Sequence, residues 1–331
     1  MKAKTIKAVL RKKVDDWLAS IEDGAVREAA AKNTIVTGGA IASMLLREKV
    51  SDFDIYFRDW RTAAMVAKYY VDRFKPEQKN GISCDIKVVN GYRSEIDLAN
   101  PPSSGDDKAA RIKVMIRSAG VANEDGTTKP YEYFESRPEG EATAYISDVM
   151  GDAGDIQDAH DQTEDLVLNQ IEDDSKPRYR PVFLSSNAIT LSHKVQVILR
   201  FYGEPDAIHA NYDYVHCTNY WTSWDNELVL RKEALEALLT RELRYVGSKY
   251  PICSLIRLRK FIARGWSVNA GQILKAVMQI SELDLKDVNV LEDQLTGVDA
   301  AYFMEVVSKL KDADPEKVNH AYLVEIIERM F

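Results

Sequence analysis

The sequence predicts an α+β protein: a mixed sheet with flanking helices over residues 1–226, then a helical domain over 227–331. Three observations predict it. Apolar stripes at helical spacing interleave with short runs of period-two alternation through the first two thirds of the chain. From about Leu228 onward the pattern turns helical and stays so. The length of 331 residues, with 45% hydrophobic and 29% charged side chains, suffices for one large or two ordinary domains with real cores.

In chain order, Leu10, Val14, Trp17, Leu18 and Ile21 recur at helical spacing and predict an opening amphipathic helix. Thr34-Ile-Val-Thr reads as a short buried strand ending at Gly38-Gly39, and residues 40–48 as a helix. Ser51 to Phe57 alternates, with Phe53, Ile55 and Phe57 on one face and Asp52, Asp54 and Tyr56 on the other. Asp59 is placed to N-cap a helix whose Trp60, Ala64, Ala67, Val71 and Phe74 form one stripe. Strand-like runs follow at Cys84–Val89, Ile112–Ile116 and Tyr131–Phe134, separated by turn-rich text such as NPPSSGDD. Further strands are expected around Val182–Leu184 and Lys194–Phe201, then a short helical piece around Pro205–Ala210 leading into Tyr212–Trp221.

Charge is unevenly spread. Residues 139–175 hold twelve acidic side chains and no Lys or Arg, so the formal net charge of −8 leaves the rest of the chain at +4. The spacing of Asp148, Asp152, Asp155 and Asp158 does not fit a calcium loop, so the stretch is expected to be a solvated insertion. No run approaches the ~20 apolar residues of a membrane span, and the basic N-terminus has no apolar signal-peptide core. Three scattered cysteines, Cys84, Cys217 and Cys253, make no framework and fit a reducing cytoplasm. His209, His216 and Cys217 lack an evident fourth ligand for zinc, and no Walker A motif, Rossmann glycine run or G-x-S-x-G occurs.

The chemistry is carried by residues 35–57. Gly38 and Gly39 end a strand and open a helix, so a triphosphate can approach backbone N–H groups there. Asp52 and Asp54, two residues apart on the next strand, project from one face. Such a pair beside a phosphate-accepting turn suits Mg²⁺, which binds through one or two carboxylates plus substrate phosphates.

This segment resembles the signature of the DNA polymerase β-like nucleotidyltransferase superfamily, most nearly the head domain of CCA-adding enzymes and bacterial poly(A) polymerases. As in those enzymes, thirteen positions separate the second Gly from the first Asp, Gly39 to Asp52. The CCA-adding pattern usually has Arg and Asp where this chain has Ala42 and Ser43. The resemblance implies a nucleotidyltransferase-type fold that transfers a nucleoside monophosphate from an NTP to an acceptor hydroxyl, with two Mg²⁺ ions and release of pyrophosphate.

It also implies a third acidic residue on a neighbouring strand, for which Asp85 and Asp213 compete. Gln196, Tyr212, Asp213 and Cys217 resemble the later segment of predicted nucleotidyltransferases of phages and large DNA viruses, which favours Asp213 as the third metal-binding and catalytic carboxylate. Arg257, Lys260 and Arg264 fall on one helical stripe, beside Leu255, Leu258 and Ile262, and are expected to grip triphosphate or an RNA backbone. An RNA 3′ end is the leading acceptor. A regulator that nucleotidylates a protein or tRNA, and a non-catalytic binding or assembly protein, are the rivals.

Overall fold

Residues 34–57 form the centre of the sheet. The computed structural model describes residues 1–74, 83–90, 94–95, 110–117, 178–184, 188–285, 287, 290 and 294. In it β1 (Thr34–Thr37) and β2 (Phe53–Phe57) run antiparallel, joined through α3 (Gly39–Leu46). All four residues of β1 are buried, as its unbroken β-branched text requires of a central strand.

The described strands make a mixed seven-stranded sheet in the order β10-β9-β1-β2-β8-β7-β6, where β6 is Pro181–Leu184, β7 Ala188–Leu191, β8 Val195–Tyr202, β9 Tyr220–Thr222 and β10 Leu228–Val229. Only β2 and β8 pair in parallel within it. A second, three-stranded sheet is ordered β4-β3-β5, from β3 (Ser83–Asn90), β4 (Ser94–Glu95) and β5 (Ala110–Arg117).

One face of the larger sheet is covered by helices. Phe53, Ile55, Phe57, Val195, Val197 and Leu199 belong to a single core with Ile6, Leu10, Val14 and Trp17 of α1 (Ala3–Ala19) and with Trp60, Ala67 and Tyr70 of α4 (Trp60–Phe74). Burying side chains of this size stabilises by roughly 1.5–3 kcal/mol each relative to exposure. The Trp17 indole N–H donates to the Tyr70 hydroxyl at 2.8 Å, so the buried polar edges of both rings are satisfied. Asp59 caps α4 as its position predicts: its carboxylate accepts from the Thr62 N–H and hydroxyl, each at 2.8 Å.

Chain contacts divide the protein into two units. The first takes the described residues of Met1–Asp148, Asp165–His209 and Cys217–Lys232; the second takes Ala210–His216 and those of Glu233–Phe331. The first holds both sheets and α1, α2 (Gly24–Asn33), α3, α4 and α5 (Pro205–His209). The second is helical in its described elements, with α6 (Lys232–Thr240) entering it and α7 (Pro251–Ala263) and α8 (Ala270–Ser281) within it. Its interior is aromatic: the His216 ring lies 4.3 Å from that of Trp266 and 4.8 Å from that of Phe261.

The structure differs from the sequence expectation in three places. The strand expected from Tyr212 is shorter: Val215–Cys217 is a 3₁₀ turn, and regular pairing begins only at Tyr220. The Asp213 carboxylate accepts the Tyr214 N–H at 3.0 Å, a local bond that takes the backbone off the ladder. Leu228–Val229 is a strand, not the start of a helix. And α2 was absent from the sequence reading, because its alanine-rich text buries only Val26 and Ala30 and shows no broad apolar stripe. The expected strand Tyr131–Phe134 and the acidic stretch 139–175 lie outside the described residues. No described helix is long and apolar enough to cross a membrane.

Candidate functional site

Strand register builds the site. Asp54 pairs with Gln196 of β8, Gln196 with Thr190 of β7, and Thr37 with Tyr220 of β9. Carrying the β1–β2 register one step beyond Val36↔Ile55 sets Thr37 opposite Asp54. Paired residues share a face, so Thr190, Gln196, Asp54, Thr37 and Tyr220 form a polar row across the sheet, on the face opposite the helical core. All are half-buried except Thr37, which is fully buried. Asp52, two residues before Asp54 and also half-buried, lies on this face at the mouth of β2.

Gly38-Gly39 closes the end of β1 nearest these carboxylates. Gly38 takes φ 95° and ψ −149°, a conformation that only glycine holds without strain, and it is the N-cap position of α3. Its N–H donates to the Cys217 carbonyl at 3.1 Å. Gly39 is exposed, and a Cβ added there would meet nothing within 4 Å. The chain is therefore open at Gly39, the first residue of α3, while Ala40 and Ile41 behind it are buried; an uncapped helix N-terminus of this kind can accept an anion.

A buried node fixes the turn. The Thr37 hydroxyl lies 2.8 Å from His209 Nε2 and donates to the Asn219 carbonyl at 2.9 Å, so the His209 Nε2–H donates to Thr37. The Asn219 side-chain oxygen accepts the Arg231 N–H at 2.8 Å. Burial first, and the nearby Arg231 charge second, hold the His209 imidazole down at about 4, so it is neutral at physiological pH. Arg231 forms an ion pair with Asp206 and stands 5.6 Å from the centre of the Tyr220 ring.

The residues named from sequence are distributed as follows. Gly38, Gly39, Asp52 and Asp54 lie together in the first unit. Asp85 stands on β3 in the smaller sheet, paired with Met115. Asp213 and Arg257 are brought together in the second unit, with carboxylate and guanidinium 2.8 Å apart. Lys260 lies half-buried on α7, and Arg264 is exposed at its C-cap, where its carbonyl accepts from Arg241 at 3.2 Å. Ile262 of the expected apolar stripe is half exposed. Sequence reasoning passed over Thr37, His209 and Asn219 as site residues; their bonds join positions 172 and 182 apart, and no local pattern marks them.

Among the described residues no three His, Cys, Asp or Glu side chains gather as a metal site. The donors of the first unit still fit one Mg²⁺: Asp52 and Asp54 are hard oxygen ligands on one face, and the open turn at Gly39 leaves room for the phosphates that complete the shell.

Comparison with known proteins places the chain. The Gabija anti-defense 2 family protein description matches residues 8–241, from within α1 to just past α6. A protein called Gabija anti-defense 2, from Bacillus phage SPbetaL7, is 21% identical over 123 residues, 37% of this chain and 31% of that protein. Among solved structures, a Thermotoga maritima CCA-adding enzyme complexed with tRNA_CCA aligns with 90% of this chain and 54% of its own, at 10% identity and a TM-score of 0.33. The chain thus spans about a third of the phage relative and about half of the Thermotoga chain. With the family match covering well over half of the chain, and containing Gly38, Gly39, Asp52, Asp54 and Asp213, the protein belongs to the Gabija anti-defense 2 family.

Proposed function

We propose that the protein is a Mg²⁺-dependent nucleotidyltransferase that moves a nucleoside monophosphate from an NTP to an acceptor hydroxyl and releases pyrophosphate. The observation that carries this reading is the β1–β2 register, with Asp52 and Asp54 on the half-open face beside the Gly38-Gly39 turn. Asp52 and Asp54 hold the cation, and the first-turn amides of α3 hold a phosphate. The ion, when bound, neutralises triphosphate charge and lowers the pKa of the acceptor hydroxyl. The acceptor hydroxyl gives up its proton to water, and its oxygen bonds to the α-phosphorus as the bond to the pyrophosphate oxygen breaks and pyrophosphate leaves. The protein's own contribution is positioning and charge. Thr37 and His209 keep the turn in place beneath the phosphate.

Family membership favours a target in the Gabija defence over the general RNA 3′ end expected from sequence. A second reading, in which the fold binds its target without transferring anything, is favoured by the same family match, whose name carries a role in anti-defense and no chemistry. Pyrophosphate release with each of the four NTPs, Mg²⁺ and a lysate of Gabija-bearing cells separates them. Wild type should release pyrophosphate and an Asp52→Asn/Asp54→Asn double variant should not. With labelled NTP, the label shows whether RNA or protein is the acceptor. No release with any NTP, together with no NTP-dependent thermal shift, would reject transfer in favour of binding.

A further inference from the structure

Gln196 stands beside Asp54 on the parallel neighbour of β2, on the same half-open face. Gln196 is half-buried, and its side chain makes no hydrogen bond with any described residue. Leaving such a group unsatisfied is unfavourable, so it is matched by water or by a ligand. Paired positions on adjacent strands stand about 5 Å apart, close enough for two side-chain oxygens to share one cation with bonds of about 2.1 Å. Elsewhere in the row the Thr37 hydroxyl is engaged by His209 and Asn219. At the level of Asp54, the neighbouring strand therefore offers an amide carbonyl where an acidic residue would have added a third charge.

We propose that Gln196 is the third oxygen donor of the cation site, beside Asp52 and Asp54, and that its neutrality makes metal binding depend on the incoming triphosphate. This rests on the carboxylate-pair reading given above. Affinity for hard cations rises with the number of charged ligands. Two carboxylates and an amide balance Mg²⁺ without surplus negative charge, so the free protein holds it weakly. The triphosphate brings the missing charge, and metal and nucleotide bind with positive coupling.

The test is calorimetric titration of Mn²⁺ into the full-length protein without nucleotide, for wild type, Gln196→Glu, Gln196→Ala and Asp54→Asn, each checked for folding by circular dichroism. Gln196→Glu should bind Mn²⁺ at least tenfold more tightly than wild type. Gln196→Ala, which removes a neutral ligand, should bind Mn²⁺ a few-fold more weakly than wild type, and binding equal to wild type would count against Gln196 as a donor. In the pyrophosphate assay, Gln196→Glu should lower the Mg²⁺ concentration for half-maximal rate by a similar factor. Should Gln196→Glu destabilise the protein, Gln196→Asp makes the same comparison. If the acidic variants bind within twofold of wild type while Asp54→Asn loses binding, Gln196 lies outside the site and the carboxylate-pair reading stands. If Asp54→Asn leaves Mn²⁺ binding unchanged, the carboxylate pair itself is refuted, and the role of Gln196 with it.

Discussion

Alanine at Gly38 and alanine at Gly39 should act in opposite directions, although the two glycines are neighbours. At Gly38 the backbone sits at φ 95° and ψ −149°, in a region essentially closed to residues with a Cβ. Gly38→Ala should therefore cost about 1–3 kcal/mol of stability. Gly39 lies in the first turn of α3, and a Cβ there meets nothing within 4 Å. Gly39→Ala should instead gain about 0.5–1 kcal/mol, because alanine loses less backbone entropy in a helix. The two variants should thus differ by about 1.5–4 kcal/mol in urea unfolding, seen as a shift of midpoint at constant slope. Function should reverse that order. The methyl of Gly39→Ala occupies the space through which a phosphate would approach, so NTP affinity, read by calorimetry, should fall at least tenfold in the more stable variant. A Gly38→Ala protein as stable as wild type would refute the backbone argument. A Gly39→Ala protein that binds NTP like wild type would refute the placement of phosphate at this turn.

Thr37→Val removes the hydroxyl that His209 Nε2 donates to and that donates to the Asn219 carbonyl. Two buried groups lose their partner, for a cost of about 2–4 kcal/mol by urea unfolding, while Thr37→Ser should recover most of it. Burial holds both His209 and His216 at about 4, against about 6.5 in an unfolded chain. Between those values the unfolded chain binds more protons, so stability should be flat above about pH 6.5 and fall toward pH 4, by about 2 kcal/mol per histidine at pH 5. His209→Gln should flatten the slope, and an unchanged slope would remove His209 as its source. Arg257→Ala leaves the Asp213 carboxylate, only 14% exposed, without its cation. Because Arg257 is itself half exposed, the expected loss by thermal unfolding is modest, about 1–2 kcal/mol, and partly restored by Arg257→Lys.

Where local chemistry decides the backbone, the fold was legible in the sequence. The strand–glycine–helix–strand run of residues 34–57 was read correctly, because Gly38, the alternation around Asp54 and the β-branched text of β1 each act over a few residues. Asp59 announced α4 in the same way. The failures have physical causes as particular. α2 is helical through alanine propensity and the Asp23 cap, whose carboxylate accepts from Ala25 and Val26, without a large apolar stripe to mark it. Tyr212–Cys217 has the composition of a strand, yet the Asp213 side chain competes for the backbone and Tyr214 makes only an isolated bridge with Tyr245. The grouping of Ala210–His216 with the second unit, while Cys217 belongs to the first, depends on contacts with distant residues.

The chemical types at the site could be read from sequence, but not which groups remain available. Gly38 and Gly39 looked equivalent as phosphate amides; the Gly38 N–H is already taken by the Cys217 carbonyl, so a phosphate must be met from Gly39 onward. Arg257 looked like a phosphate cation, yet it stands 2.8 Å from the Asp213 carboxylate, and with Lys260 and Arg264 it lies beyond the span 8–241 that defines the family match. Chemistry that belongs to the family as a whole must be done by residues within that span. There the Asp52–Asp54 pair and the first turn of α3 share one end of the sheet, and Gln196 stands beside Asp54 through a parallel pairing 142 positions away in the chain. That concentration of oxygen donors beside an open glycine turn, in a few residues of β1, α3, β2 and β8, makes nucleotide chemistry the first hypothesis to test for this member of the Gabija anti-defense 2 family.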